Sequence, residues 1–462
     1  MSPFSPWLRV PSLVLLLFVF WPAPFLEAQE EAEHAAPEAG QAAEASSPEA
    51  SASEAQAPDP AARFLAFQNA INEIHGVEGV NLLMQLDAFE RLGESYPEQD
   101  FQEILASFLP WKHSAVGDYA EAHRIGDFLE APSEPSAETL QSWRDSLKGF
   151  KAVDAITAVA AAAADEKALF INEAHHVPQT RVLTWHLLPL LRKAGFTHFA
   201  AETLSETGAD LEARGFPTLK TGTYLDEPLY ADLVRRALDL GFTVVRYESG
   251  GRPSKREPGQ ATNLKERVFD VDPDARLVVH LGYDHNQESQ KGFRGVGAMA
   301  FHFQKLTGID PLTLDQTRFL ERSRPDVEHR FYAELCGSAD AVGALAFVDG
   351  DGDFWSLPGD DRDITVCLPR SRYEQGRPTW LGLDGARQAV PVPKDLCRAD
   401  VDCLVAARLA SEGGEAVALD QVVVRVGEDA PALMLSPGRY EVRALYTDGS
   451  EGRRAEIGVP VP

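Results

Sequence analysis

Ala168-Leu-Phe-Ile-Asn-Glu-Ala-His-His176 and Leu277-Val-Val-His-Leu-Gly-Tyr-Asp-His285 are the two stretches of sequence that decide the fold. Each opens with apolar residues that lack polar alternation, which is typical of a strand covered on both faces. Each then ends in carboxylate and imidazole side chains. The sequence therefore predicts two buried parallel strands whose ends carry ionisable groups.

Short β-rich runs alternate with helical runs around these two stretches. The expected strands are 168–172, 197–202, 242–247 and 276–281, and the expected helices lie near 179–194, 228–240, 259–269 and 296–306. Strands that alternate with helices indicate βαβ units and a parallel sheet. We therefore predict an α/β domain over residues 151–335, with a parallel sheet and flanking helices.

The two flanks of this domain have different patterns. Residues 61–150 space apolar side chains three and four apart, as at Phe64, Phe67 and Ile71, so we predict a helical region. Residues 340–462 lose that period and contain candidate antiparallel strands, with Asp448-Gly449 as a turn. We predict a separate, small, sandwich-like β domain there.

The first sixty residues are typical of an export signal followed by a linker. An apolar run over 13–21 is broken by prolines and is short for a membrane span, so we predict a signal peptide over 1–28. An uncleaved N-terminal anchor is the alternative. Residues 29–60 are mostly Ala, Glu, Pro and Ser, which predicts a disordered tether. The expected location is periplasmic or secreted.

Four cysteines agree with an oxidising compartment, where they could form disulfides. All of them lie in the last third of the chain: Cys336, Cys367, Cys397 and Cys403. The short loop from Cys397 to Cys403 is the easiest to close, which would leave Cys336 with Cys367. Four free buried thiols are the alternative.

The charge of the chain bears on its partners. There are 71 acidic and 43 basic residues, for a net charge of −28, and residues 61–462 still carry −20. Such a charge argues against nucleic acid as a partner and against docking on an anionic membrane, because both require a basic face. We expect a small-molecule or peptide substrate and no membrane contact beyond the export signal.

Ionisable side chains follow all four expected strands. In parallel α/β sheets, ligands bind beyond the carboxyl ends of the strands. The residues found there are Glu173, His175 and His176, then Glu202, then Arg246, Tyr247 and Glu248, and finally Asp284 and His285. Such a set suits a divalent metal that activates water, or direct acid–base catalysis. Helix caps and ordinary loop polar groups are the alternative.

Three of these stretches resemble a known superfamily. Leu169-Phe-Ile-Asn-Glu-Ala-His-His176, Phe199-Ala-Ala-Glu-Thr203 and Val278-Val-His-Leu-Gly-Tyr-Asp-His285 are similar to motifs of the superfamily of erythromycin esterase-like, haem-binding uptake (ChaN-like) and Tiki-type proteins. The resemblance covers about residues 165–305. The matching positions are Glu173, His175 or His176, Glu202, Gly282 and His285. Asn172 stands where the family usually has Gly, and Asn tolerates a left-handed turn.

The resemblance and the strand ends together define the expected site. We expect Glu173, His175, Glu202 and His285 to be catalytic, with His175, Glu202 and His285 as the ligands if Zn, Mn or Fe is bound. The residues expected to line the pocket are His176, Arg246, Tyr247, Glu248 and Asp284.

The sequence contains no nucleophile elbow, HExxH motif or P-loop, so water is the expected nucleophile. The predicted function is an exported hydrolase that acts on an ester, a lactone or a peptide. The alternative is a non-catalytic periplasmic protein that binds haem or a metal through the same histidines. A third reading has a degenerate α/β module whose C-terminal β domain binds partners.

Overall fold

The fold is that of a computed structural model, which describes residues 59–76, 81–129, 135–205, 208–336 and 343–461. The predicted signal peptide and nearly all of the predicted tether lie outside these residues. Within the described ranges, no helix has both the length and the apolar character that crossing a membrane would require.

A six-stranded parallel sheet lies at the centre of the fold. Its strands are β2 (Ala168–Glu173), β3 (His198–Ala201), β4 (Thr243–Arg246), β5 (Leu277–Gly282), β6 (Leu312–Asp315) and β8 (Ile364–Thr365). Their order across the sheet is β4-β3-β5-β2-β6-β8. The predicted α/β fold and the four predicted strands are confirmed. The sequence did not indicate β6, β8 or the strand order.

Helices cover both faces of this sheet. Those of the α/β region are α7 (Ala155–Ala162), α8 (Gln179–Lys193), α9 (Gly208–Arg214), α10 (Pro228–Asp239), α11 (Pro253–Leu264), α12 (Gly292–Gly295), α13 (Met299–Thr307) and α14 (Arg330–Leu335). Side chains at alternate positions of β2 enter opposite cores: Leu169 and Ile171 pack with α8 and α10, and Phe170 packs with α11 and α13. Both faces are therefore buried, as the apolar strands predict.

Among the described residues before the sheet there are six helices, which confirms the predicted helical region. They are α1 (Pro60–Gly76), α2 (Leu82–Ser95), α3 (Gln99–Ala106), α4 (Leu109–Ala115), α5 (Tyr119–Leu129) and α6 (Ala137–Ser146). Phe67, Ile71 and Phe101 form the centre of their own apolar cluster. Leu83 and Leu86 of α2 instead pack against the C-terminal strands.

The C-terminal region is largely antiparallel. Its remaining strands are β9 (Tyr373–Glu374), β10 (Arg377–Pro378), β11 (Gln388–Val390), β12 (Cys403–Leu409), β13 (Asp420–Val424), β14 (Leu433–Leu435), β15 (Gly438–Tyr446) and β16 (Glu451–Val459). The main sheet has the order β13-β12-β15-β16. The turn between β15 and β16 contains Gly449 at a φ of 78°, as the Asp448-Gly449 pair predicts.

The start of this region belongs structurally to the α/β part. Strand β7 (Leu345–Val348) pairs with β1 (Lys151–Asp154), and β8 is an edge strand of the parallel sheet. The expected boundary near residue 340 therefore does not coincide with a break between sheets.

Both disulfides have the pairing favoured above. Cys336 is bonded to Cys367, and Cys397 is bonded to Cys403. None of the four cysteines is free.

Candidate active site

The register of the central strands brings three of the predicted strand ends together. On β2, Glu173 pairs with Gly282 of β5, and on β3, Ala201 pairs with His280 of β5. The backbone N–H of Glu202 donates to the carbonyl of His280 at 2.9 Å. Glu173 and Glu202 therefore flank the end of β5 from opposite sides.

A fully buried arginine holds the first carboxylate. Nε and Nη2 of Arg181, in the first turn of α8, donate to the two oxygens of Glu173 at 2.5 and 3.0 Å. Its Nη1 donates to Glu227 at 2.5 Å, and Nη2 also donates to the carbonyl of His175 at 3.0 Å. Burial alone would raise the pKa of the Glu173 carboxyl, but Arg181 and two histidines hold that pKa well below its usual value.

Glu173 orients two imidazoles. Its Oε1 lies 2.8 Å from Nδ1 of His175, and its Oε2 lies 2.9 Å from Nε2 of His280. The ionised carboxylate can only accept, so each of these ring nitrogens carries a proton. Nδ1 of His280 then accepts from the Thr184 hydroxyl at 3.1 Å. His280 is thus a fully satisfied buried histidine, whereas His175 keeps a lone pair on Nε2.

The carboxylate of Glu202 faces the lone pair on Nε2 of His175, and Gly282 lies between the two groups. A Cβ added to Gly282 would stand 2.5 Å from Nε2 of His175 and 2.7 Å from Oε2 of Glu202. Oε2 of Glu202 also accepts from the Gly282 backbone N–H. Only a residue without a side chain lets the His175 imidazole and the Glu202 carboxylate approach each other here.

Arg256, from the first turn of α11, binds the other side of Glu202. Its Nη2 donates to Glu202 at 2.8 Å and to Glu248 at 3.0 Å, and its Nη1 donates to Nε2 of His285 at 3.0 Å. Burial raises the pKa of Glu202, but His285, when it is protonated, and the Arg256 guanidinium outweigh burial and lower that pKa to about 2. Glu202 is therefore an anion at neutral pH.

His285 has a carboxylate of its own. Nδ1 of His285 lies 2.8 Å from Oε2 of Glu257, which also accepts from the backbone N–H of Met299. Burial disfavours the imidazolium, yet Glu257 and Glu202 together raise the pKa of His285. Because Nε2 accepts from Arg256, protonation of His285 would place two donors against each other and so requires the Arg256 guanidinium to move.

Non-glycine residues with left-handed backbones surround the cluster. Thr203 directly follows Glu202 with a φ of 67°, and Tyr283 directly follows Gly282 with a φ of 43°. Phe293, with a φ of 40°, places its ring 4.4 Å from that of His285. Such conformations cost on the order of 1–3 kcal/mol each and concentrate at functional sites.

The structure thus brings together Glu173, His175, Glu202, Glu248 and His285 of the residues expected from the sequence. The other four lie apart from this cluster. The Tyr247 ring is buried in the core beneath it. Arg246 donates to the carbonyl of Ser205, and Asp284 pairs with Arg362 at 3.3 Å.

His176 points away from its neighbour His175. Its Nδ1 lies 3.1 Å from the Tyr283 hydroxyl, and a Cβ at Gly126 would come within 2.5 Å of its Nε2. Burial, together with the nearby charge on Arg322, holds the pKa of His176 well below its usual value. It packs as a neutral residue, so His175 is the histidine that faces Glu202.

Asn172 does not use the left-handed conformation that an Asn at this position would tolerate. It has no positive φ. Its side-chain amide donates to the carbonyl of Tyr283 and to Asp315, and its oxygen accepts from the backbone of Gln316. Asn172 therefore joins the ends of three strands through its side chain.

A divalent cation does not fit the expected ligand set as it is arranged here. Arg256 already donates to Glu202 and His285, so a metal between those two groups would lie against a guanidinium. Among the residues that the structure describes, no three His, Cys, Asp or Glu side chains form a group that could hold a metal ion. The metal and haem expectations stay predictions.

Sequence reasoning missed Arg181, Arg256 and Glu257. All three lie in the opening turns of helices whose N-termini face the strand ends. A charged residue near the start of a helix that follows a buried strand was the available signal, but many exposed residues share that pattern.

Comparison with known proteins identifies no family. No protein-family model matches the chain, and no curated protein matches it. Among solved structures, that of the type III effector HopBA1 is 13% identical with a TM-score of 0.27, over 47% of this chain and 94% of that chain. A structure described as "Bacterial protein toxins" is 12% identical with a TM-score of 0.29, over 56% of this chain and 64% of that chain. Likenesses this weak carry no functional argument, and the superfamily resemblance stays a prediction.

Proposed function

We propose that this protein is an exported hydrolase in which His175 activates a water molecule against an ester, a lactone or a peptide. The observation that carries the proposal is the pairing of Glu173 with Nδ1 of His175, which leaves Nε2 as a proton acceptor opposite an ionised Glu202. A carboxylate that fixes the tautomer of a histidine base is a recurrent device of hydrolytic sites. The two disulfides suit an oxidising compartment outside the cytoplasm.

Nε2 of His175 and the carboxylate of Glu202 are both hydrogen-bond acceptors, so one water molecule can donate to both of them. One O–H of the water donates to Nε2 of His175 and the other donates to Glu202. As the water oxygen bonds to the carbonyl carbon, Nε2 takes the first proton. When the carbon–oxygen or carbon–nitrogen bond to the leaving group breaks, the imidazolium returns that proton to the leaving group. The products are a carboxylic acid and an alcohol or an amine.

The buried ion pairs fix the position of His175 and keep Glu202 ionised. Glu173 stabilises the imidazolium that forms on His175, and Arg181 prevents Glu173 from taking up the proton itself. Arg256 keeps Glu202 ionised and fixed by donating to Oε1, and Oε2, which accepts from the Gly282 backbone N–H, keeps a second lone pair to orient the water. These charges act in a water-poor environment, where electrostatic preorganisation is strongest.

The proposal is tested by screening a panel of nitrophenyl esters, lactones and chromogenic peptides with the full chain and with Glu202→Gln. The amide cannot accept from both Arg256 and Gly282 as the carboxylate does, so we expect about a 10²- to 10⁴-fold loss in kcat/KM. Glu266→Gln, an exposed change on the same domain, is the control. Equal turnover by the wild type and Glu202→Gln would contradict the proposal.

A haem titration separates the alternative function. A shift in visible absorption that is lost in His285→Ala, together with no turnover of any panel member, would favour a haem-binding protein. Elemental analysis of the protein from its native compartment tests the metal expectation, because Zn, Mn or Fe at about one ion per chain would favour a metal site.

A further inference from the structure

A second feature of the site is that two tyrosine rings contact the imidazole of His175, one from the turn before α10 and one from the loop after β5. The ring of Tyr224 stacks on the imidazole of His175, with centroids 3.8 Å apart and planes inclined by 20°. On another side, the Tyr283 ring meets the imidazole edge-on at 5.1 Å. The His175 ring can therefore turn over only if the Tyr224 ring moves.

Tyr224 is itself held by the N-terminal helical region. The Trp111 ring of α4 packs perpendicular to the Tyr224 ring, with centroids 5.5 Å apart. The ammonium of Lys112 lies 3.8 Å from the centre of the Trp111 ring and donates to Asp226 at 3.0 Å. Asp226 is two residues beyond Tyr224, so this buried ion pair fixes the same turn that carries the stacked ring.

The C-terminal region fixes the start of the loop that leads to Tyr224. Thr218 forms an antiparallel bridge with Ala416, and the N–H of Val417 donates to the carbonyl of Pro217 at 3.0 Å. The backbone N–H of Tyr224 then donates to the Thr203 hydroxyl at 3.4 Å, next to Glu202. Both flanking regions therefore hold this loop over the ends of β2 and β3.

We infer that Trp111 and Tyr224 are positioning residues that hold the imidazole of His175 in the orientation bound to Glu173. The inference rests on the proposed function for its catalytic consequence, but not for its structural content. It also assigns a role to the helical region, where the sequence indicated no chemistry.

In this inference Tyr224 acts through the flat face of its ring, which stacks on the His175 imidazole, and not through its hydroxyl group. The Tyr224 hydroxyl bonds no residue that the structure describes, and burial together with the charge on Glu202 raises its pKa, so it remains a neutral phenol. Tyr224→Phe keeps the stacked face and is the matched control. Tyr224→Leu keeps an apolar side chain but loses the flat face that opposes rotation of the imidazole.

The test is NMR of the full chain labelled with ¹⁵N-histidine, recorded at alkaline pH and assigned with His175→Gln. The two ring nitrogens report which of them carries the proton. We expect the Nδ1–H tautomer of His175 in the wild type and in Tyr224→Phe. Tyr224→Leu should move the tautomer ratio toward Nε2–H by roughly two- to tenfold, since an aromatic pair has an energy of that order. Trp111→Leu should move it less, in the same direction.

An unchanged tautomer ratio in a folded Tyr224→Leu, checked by circular dichroism, would overturn the inference. If the wild type turns over a panel substrate, kcat should fall more than KM changes in Tyr224→Leu, and the loss should be smaller in Tyr224→Phe, which keeps the stacked ring. A tautomer shift without turnover in any variant would support the inference and contradict the proposed function. Turnover by the wild type without a tautomer shift in Tyr224→Leu would support the proposed function and contradict the inference.

Discussion

At the scale of single residues, Gly282 determines how closely the His175 imidazole and the Glu202 carboxylate approach each other. Its backbone has no left-handed conformation, so the need for glycine is purely one of space. The three atoms that an added Cβ would meet belong to His175 and Glu202, which are fixed by Glu173 and Arg256. Neither neighbour can give way without breaking a buried hydrogen bond.

Gly282→Ala should therefore damage the site more than the fold. Overpacking a buried position costs about 1–3 kcal/mol, and a shift of about 1 Å in a reacting group costs on the order of 10²-fold in rate. The measurement is turnover together with urea unfolding. Gly458→Ala, at an exposed glycine with no atom within 4 Å of an added Cβ, is the control. Full turnover by Gly282→Ala would show that His175 and Glu202 need not meet.

At the scale of elements, the sequence predicts four of the six parallel strands and does not indicate the strand order. Two fully buried strands leave a clear apolar signature, and β2, β3, β4 and β5 all lie where the pattern indicates. Strand β8 has only two residues and comes from the region expected to be a separate domain, so nothing local marks it. The polar strand ends were equally visible, but which of them meet depends on register and on strand order.

The loop after β5 contains Glu288, whose side-chain carboxyl should change its protonation state with pH. Burial, with Asp363, Asp310 and Asp361 nearby, outweighs a hydrogen bond from Thr313 and raises the pKa of Glu288 to about 8. A carboxyl whose pKa is higher in the folded state binds its proton more tightly there. Its contribution to stability is complete below the unfolded pKa of 4.5 and is lost as the pH rises toward about 8.

Glu288→Gln should remove this pH dependence. Relative to the variant, the wild type should lose unfolding free energy between pH 5 and pH 8.5, measured by urea unfolding at both values. The exposed substitution Glu266→Gln should follow the wild type. A constant difference between wild type and Glu288→Gln across this range would show that Glu288 is ionised throughout.

At the scale of the whole molecule, three regions converge on one edge of the parallel sheet. The helical region contributes Trp111 and Lys112, the α/β region contributes the histidines and carboxylates, and the C-terminal region pins the loop before Tyr224. No composition or periodicity argument predicts such convergence, because every contact joins residues that are distant in sequence.

The disulfides should differ in their contribution to this assembly. Loop-closure entropy assigns about 3–4 kcal/mol to Cys336–Cys367, with a separation of 31 residues, and about 2 kcal/mol to Cys397–Cys403, with a separation of six. Paired Cys→Ser variants, compared by urea unfolding, test this order. A larger loss of unfolding free energy on removal of Cys397–Cys403 than on removal of Cys336–Cys367 would contradict this order.

The most direct test of the central claim is the hydrolytic rate of His175→Gln compared with wild type, on whichever panel substrate the wild type turns over. His198→Gln, at the opposite end of β3, is the matched control histidine. With folding verified by circular dichroism, we predict that kcat/KM falls about 10²- to 10⁴-fold in His175→Gln and is unchanged in His198→Gln. Wild-type turnover by a folded His175→Gln would contradict the assignment of His175 as the base that activates water.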